Sequence, residues 1–243
     1  MLTLKEFRSQ VDLSRMAICE AVYARHHGHI QVKKKPTALR NLARIIDATL
    51  ALANRTGFQA MTLRDLSRHS GLSMGALYAY IGSKEELVRL IQEYGRDLTA
   101  RVLCDCLEGV EDPVQRFRTA IRAWVYLTDA LQDWFFFSFM EARHLGKEQM
   151  EAALQGDLRT EEVFRDIILD GQARGLFGDV NPELTAAGIN ALLQDWYLKR
   201  WKYRRLKMTA EAYADHVIAM VEPSLHKPGT VASAPTSAAT STE

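Results

Sequence analysis

Residues 62–87 read TLRDLSRHSGLSMGALYAYIGSKEEL, and their punctuation predicts two short helices, a tight turn and the start of a third helix. Thr62, with Asp65 three positions on, has the form of a helix N-cap, and Leu63 and Leu66 fall on the inward face. Gly71 supplies the positive φ that a sharp turn between helices demands, and Leu72 fills the gap between them. Ser73 caps the second helix, in which Leu77 is the buried position and Met74, Gly75, Ala76, Tyr78 and Tyr80 are expected to face outward. Small residues at the start of that helix allow close approach to base edges in a DNA major groove, and the tyrosines can reach phosphates or thymine methyls. Ser83 with Glu86 forms a capping box that opens a longer helix. Lys84 stands in its first turn, where the helix dipole favours an anion, so a cation there points to a phosphate nearby.

A glycine-turned helix pair also occurs as a plain structural corner, and charge helps to decide between the two. From Lys33 to Lys84 the chain carries nine basic residues against Asp47 and Asp65, an excess of seven positive charges in a protein whose total is +1. Such concentration is the footprint of a polyanion partner. The turn and its flanks, GLSMGALYAYIGSKEEL from Gly71 to Leu87, resemble the DNA-binding signature of the tetracycline-repressor (TetR) family of bacterial transcription regulators, and the likeness extends back through Thr37 to Phe58. Ile81 stands where the family generally has Phe, which keeps the core apolar. Met74 stands where a polar or basic residue is common, which leaves the operator sequence open. Carried over position by position, the resemblance places DNA contacts on Thr62, Ser73, Met74, Gly75, Ala76, Tyr78, Tyr80 and Lys84.

The resemblance implies an all-α chain: an N-terminal three-helix helix-turn-helix DNA-binding domain followed by a C-terminal helical ligand-binding and dimerisation domain. The expected boundaries are an extension over 1–35, a DNA-binding domain over 36–95 with its helix-turn-helix at about 62–81, an effector and dimerisation domain over 96–224, and a disordered Ser/Thr/Ala/Pro-rich tail over 225–243. The residues agree with helices throughout. Leu39, Leu42, Ile46, Leu50 and Ala53 recur at spacings of three and four, up to Gly57. A long helix from Lys84 through Leu98 towards Leu103 links the two domains. Asp112-Pro113 opens the next helix, with Phe117, Ile121, Trp124 and Val125 along one side. Residues 134–140 are too apolar for a one-sided surface helix, so they belong near the middle of the second domain.

The family uses such a second domain to hold a small effector. Trp124, Tyr126, Trp134, Phe135, Phe137, Phe139 and Met140 are candidate lining, with Arg122, Glu141, Arg143 and His144 as polar anchors; the same aromatics also suit a plain core. Two late helices are candidates for dimerisation, one carrying Val163, Phe164, Ile167 and Ile168 from Glu161 onward and one carrying Leu193, Trp196, Tyr197 and Trp201 after the Asn181-Pro182 cap. The alternative is that they fold back on their own core. Two recognition helices related by a two-fold axis, roughly 34–36 Å apart, would read a palindromic operator. The basic-aromatic run WYLKRWKYRRLK at 196–207 is read as an amphipathic helix end in preference to a nucleic-acid stacking patch, and Pro223 is expected to end the last helix.

Ahead of the family likeness, Leu4, Phe7, Val11, Ile18 and Val22 suggest one or two extra amphipathic helices packed on the DNA-binding domain. Lys33, Lys34 and Lys35 would follow as a basic arm along the DNA backbone or as a solvated linker. His26, His27 and His29 lack the i, i+4 spacing that converges on one metal ion. Cys19, Cys104 and Cys106 are too few for a disulfide framework, and no stretch has the length of a membrane span or the pattern of a signal peptide. The expectation is therefore a cytoplasmic, ligand-responsive transcriptional regulator with no cofactor, a homodimeric repressor released from DNA by an apolar, acyl or aromatic effector. The rival readings are a constitutive or architectural DNA binder and a metal-dependent enzyme using the His26 to His29 cluster.

Overall fold

In the computed structural model residues 2–142 and 147–226 are described, and every regular element among them is helical. The tail from 227, Arg143 and His144 lie outside the described residues.

The helix-turn-helix unit is built from caps. α3 (Lys35–Thr56) holds Pro36 in its first turn and ends on Gly57, whose φ of +79° leaves the helical region. Its buried stripe contains Leu39, Leu42, Ile46 and Leu50. α4 (Leu63–Ser70) opens on a reciprocal capping box between Thr62 and Asp65 and closes on Gly71, at φ +65°. α5 (Met74–Tyr78) is capped by the Ser73 hydroxyl, which accepts from the Ala76 N–H at 3.2 Å. Leu66 and Leu77 are fully buried where the two helices meet. α6 (Lys84–Leu107) starts at the Ser83 cap, but Glu86 reaches one residue further back than a capping box requires and accepts the Gly82 N–H at 2.6 Å.

The second half is a bundle around α7 (Pro113–Ala130), which enters at the Asp112 cap and is flanked by α6, α9 (Lys147–Ala173), α10 (Pro182–Leu198) and α12 (Ala210–Leu225). Phe117, Ile121 and Val125 are fully buried along it. Arg118 grips Glu222 with two nitrogens at 2.6 and 2.5 Å, and Arg122 reaches Asp215 at 2.5 Å, so α12 is held to α7 by charge as well as packing. α8 (Gln132–Ala142) lies between α6 and α3, and the Trp134 indole donates to the Ile91 carbonyl at 3.0 Å.

Three expected boundaries shift. α9 begins well before Glu161. The helix from Pro182 breaks at Lys199 and restarts as α11 (Arg200–Arg205), and the Asp195 carboxylate at the break gathers Lys199, Lys202 and Tyr203. α12 runs through Pro223 to Leu225 instead of stopping at the proline; the missing N–H costs one helical hydrogen bond, and the buried Leu225 anchors the last turn. Leu225 is fully buried and its carbonyl accepts the Gly178 N–H at 2.6 Å, so Leu225 and His226 belong to the fold and not to a tail.

The extension forms α1 (Leu4–Gln10) and α2 (Arg15–His26), and it does not pack on the DNA-binding unit alone. α2 lies on α3 and α6, fixed by Arg15 to Asp47 at 2.7 Å and by Arg25 to Asp97. α1 crosses to α7, where Phe7 meets Tyr126 edge-on with ring centroids 5.7 Å apart.

Candidate functional site

The short helix α5 presents a small, uncrowded outer surface. Ser73 and Gly75 are exposed, Met74 and Ala76 half-buried, and Tyr78 is 48% exposed. Thr62, at the start of α4, is exposed beside them, its hydroxyl occupied with the Asp65 carboxylate at 2.6 Å. Hydrogen bonding to Thr62 holds the Asp65 carboxyl below the usual carboxylate range. Lys84 is half-buried; its ammonium donates to the Gln59 carbonyl at 3.1 Å and sits 4.8 Å above the Phe58 ring, so it braces the turn before α4 as well as carrying charge.

Tyr80 departs from the outward orientation expected of it. It is 3% exposed, its hydroxyl accepting from the Asn41 amide at 3.0 Å and lying 3.5 Å from the Thr37 carbonyl oxygen. Burial is the main cause that raises its phenol pKa. The physical reason is the turn that ends α5: Tyr78 is its last helical residue, and Tyr80 lies in the turn after it, its N–H donating to the Leu77 carbonyl at 2.9 Å, with its ring carried inward onto α3. Lys33 and Lys34 are exposed, but they are not on a free arm. The preceding stretch is pinned by Gln31 N–H to the Ala79 carbonyl at 2.9 Å, by the Tyr23 hydroxyl to the Val32 carbonyl at 3.3 Å and by buried Ile30; Lys35 is already in α3 and pairs with Glu20.

A cavity of about 1060 Å³ opens between α6, α7, α8, α9 and α10. Trp124, Phe135 and Phe139 line it, as does Tyr197, whose ring centroid is 5.6 Å from that of Trp124. The other expected lining residues lie elsewhere. Tyr126 packs on Phe7, Trp134 on Tyr94, and Phe137 on Phe58, all of them buried interior contacts. Met140 is half-buried and not in the cavity wall. Arg122 is held by Asp215, and Glu141 lies 3.5 Å from the Gln59 amide, so neither is an anchor in the cavity.

The wall that the sequence reading missed comes from α6 and α9: Gln92, Gly95, Arg96, Thr99 and Leu103 on one side, Arg159, Thr160 and Val163 on the other. The available signal was Arg96, a charge on the helix that carries Ile91, Leu98 and Val102 into the core. Desolvation lowers its guanidinium pKa, opposed by Glu93 and reinforced by Arg25 and Arg159.

The expected dimer residues are also placed differently. Phe164, Ile167, Ile168, Leu193 and Trp196 are packed inside the chain, where α9 and α10 lie against each other and against α7. Val163 and Tyr197 face the cavity. Strong hydrophobicity marked an internal core. The outer surfaces of the same helices instead expose Leu169 at 46% and Leu184 at 73%, with Gly188 and Ala191 following on α10. The three N-terminal histidines do not converge: His26 is buried with Nε2 3.6 Å from Glu93, whereas His27 turns to the Ala24 carbonyl. Cys106 is buried, its thiol pushed up to about 11, and Cys104 is exposed. Among the described residues no helix is long and apolar enough to cross a membrane.

Residues 45–91, which span most of α3 through the start of α6, match the family described as "Bacterial regulatory proteins, tetR family", and residues 110–223 match "Tetracyclin repressor-like, C-terminal domain". The chain belongs to the TetR family of transcriptional regulators. Its fold and its helix-turn-helix make it a DNA-binding protein of that family. The HTH-type transcriptional regulator HbdR of Aromatoleum sp. (strain CIB) is 26% identical over 190 residues, 78% of this chain and 83% of that protein. The ketosteroid transcriptional regulator KstR2 of Mycobacterium tuberculosis superposes with a TM-score of 0.68 at 20% identity, covering 82% of this chain and 98% of that one. AibR, solved in complex with isovaleryl coenzyme A and operator DNA, superposes with a TM-score of 0.66 at 20% identity, covering 76% and 98%. At these identities the two structures establish the shared TetR fold.

Proposed function

We propose that this TetR-family protein is a repressor that binds a palindromic operator as a homodimer and is released by a small apolar, acyl or aromatic effector held in the α6–α10 cavity. One observation carries the reading. α6 starts at the Ser83 cap of the DNA-reading unit and runs without a break to Leu107, so the helix that follows α5 in the chain is also a wall of the cavity. A ligand that moves α6 moves the reading helix. To shift the operator from nearly full to nearly empty, the effector must favour the released arrangement by about 5.5 kcal/mol.

In this reading residues 36–95 form the DNA-binding domain and 96–224 the effector and dimerisation domain. Ser73, Met74, Gly75, Ala76 and Tyr78 enter the major groove. Thr62, Lys84, Lys33 and Lys34 lie near the phosphates, and Tyr80 supports the unit from inside. The dimer face is the outer side of α9 and α10 around Leu169, Leu184, Gly188 and Ala191, where small residues allow close approach of helices. The aromatic cavity wall supports an apolar effector, and the similar structures, a ketosteroid transcriptional regulator and a complex with isovaleryl coenzyme A, support the same class. The test has three parts: light scattering for the dimer, selection of bound genomic fragments for the operator, and gel shifts of the selected fragment with acyl thioesters and aromatic acids. A monomer in solution, or an operator complex insensitive to every ligand that raises the protein's Tm, would overturn the reading.

A further inference from the structure

Arg96 projects into the cavity from the middle of α6, half-buried, and it forms no hydrogen bond or ion pair with any described residue. The nearest carboxylate is already shared. Glu93 lies 3.9 Å from Arg25, 3.8 Å from Arg89 and 3.6 Å from His26, while Asp97 is taken by Arg25. Arg159, exposed on α9, lines the cavity as well and is close enough to repel Arg96. Two guanidinium groups, Arg96 half-buried and Arg159 exposed, thus share one end of the cavity, and among the described residues neither is in an ion pair, an arrangement that an anionic oxygen group relieves.

The opposite end has the reverse character. Asp105 and Glu108 lie nine and twelve residues further along α6, roughly 14–18 Å away at 1.5 Å per residue, and Asp166 joins them from α9. Arg116, the cation at that end, is occupied by the Val110 carbonyl at 3.0 Å and the Leu107 carbonyl at 3.4 Å. Between the two ends stand Trp124, Phe135, Phe139 and Tyr197. We infer that the effector is an amphipathic anion whose carboxylate or phosphate is clamped by Arg96 and Arg159 and whose apolar body lies among the four aromatic rings, pointing towards the acidic end. This rests on the cavity being the effector site.

Two fluorescent probes of nearly one shape test the charge: 1-anilinonaphthalene-8-sulfonate carries a sulfonate, and N-phenyl-1-naphthylamine lacks it. The full-length protein should bind the sulfonate at least tenfold more tightly at low salt. Arg96→Met with Arg159→Met should abolish that preference while binding of the neutral probe persists. Equal affinity for the two probes, or a preference that survives both substitutions, overturns the inference and leaves the cavity reading intact. Ala100→Trp, which fills the cavity, is the separate control: if both probes still bind with unchanged affinity, or the neutral probe never binds, the cavity reading itself fails. Displacement of the neutral probe by decanoate and by decanoyl coenzyme A distinguishes the sources of the anion, with the more potent competitor naming a free carboxylate or a thioester's phosphates. Decanol displacing as well as either one overturns the inference.

Discussion

Tyr78 and Tyr80 are two positions apart and should fail in opposite ways when each loses its hydroxyl. In Tyr80→Phe the ring stays in the core, and the loss is the 3.0 Å hydrogen bond from Asn41; the 3.5 Å approach to the Thr37 carbonyl is at the limit of a useful bond. One such bond contributes about 0.5–1.5 kcal/mol net, and Asn41 is half-buried, so its freed amide is only partly rehydrated. The expected destabilisation is about 1 kcal/mol, equivalent to about 2–4 °C in Tm for a chain of this size. Tyr78 is 48% exposed, so Tyr78→Phe should change stability by less than about 0.5 kcal/mol. It should instead cost the operator complex about 1.5 kcal/mol per reading helix if the hydroxyl meets a phosphate, which is about tenfold in affinity for each half-site. Guanidinium denaturation and a low-salt gel-shift series measure the two quantities on the same samples. Should Tyr80→Phe leave the midpoint unchanged and weaken the operator complex as Tyr78→Phe does, the assignment of one ring to the interior and the other to DNA is refuted.

Gly71→Ala is expected to destabilise by about 1–2 kcal/mol, since φ is +65° and the new methyl would stand 2.6 Å from Arg44 Nη2, which now donates to the Gly71 carbonyl at 2.8 Å; an unchanged denaturation midpoint would contradict this. Gly171→Ala puts a methyl inside the contact envelope of the Phe177 ring at the end of α9, and overpacking of about 1–3 kcal/mol should appear as a lower Tm, with no such loss in Gly28→Ala, where nothing lies within 4 Å. His26 has a pKa below its ordinary 6.5, chiefly through burial and despite Glu93, so the unfolded chain binds its proton more readily. Its contribution to stability is therefore complete above about pH 6.5 and lost as pH falls through the lower folded value. The slope of the denaturation midpoint between pH 7 and 5 should be shallower in His26→Gln, and an identical slope would remove the role given to this residue.

The helix-turn-helix was legible because its instructions are local. Thr62, Gly71, Ser73 and Ser83 each act on backbone groups within a few residues, and the caps stand where the letters place them. Tyr80 was misread because outward chemistry was assigned by residue type and the helix was taken to run on past Tyr78, whereas Tyr80 lies in the turn that follows it. The aromatic stretch of α7 and α8 contains cavity wall and solid interior side by side. Trp124 and Tyr126, or Phe135 and Phe137, look alike in a sequence and differ only in which helix arrives opposite. The dimer candidates failed for a related reason: the most hydrophobic positions of α9 and α10 satisfy the chain's own core first. A surface made of leucine, glycine and alanine has little compositional signal.

The contact between Phe7 and Tyr126 has a consequence for how this chain is made. Residue 7 leaves the ribosome about 120 residues before its seat on α7, a delay of roughly 6–24 s at ordinary translation rates. Through that interval α1 has nowhere to put its ring, while the neighbouring helices of the DNA-reading unit can assemble from short-range contacts as they emerge. Closure of the first helix onto the seventh is thus a late event in biogenesis, and a nascent chain stalled before residue 126 should show α1 digested by protease while α3 to α5 resist.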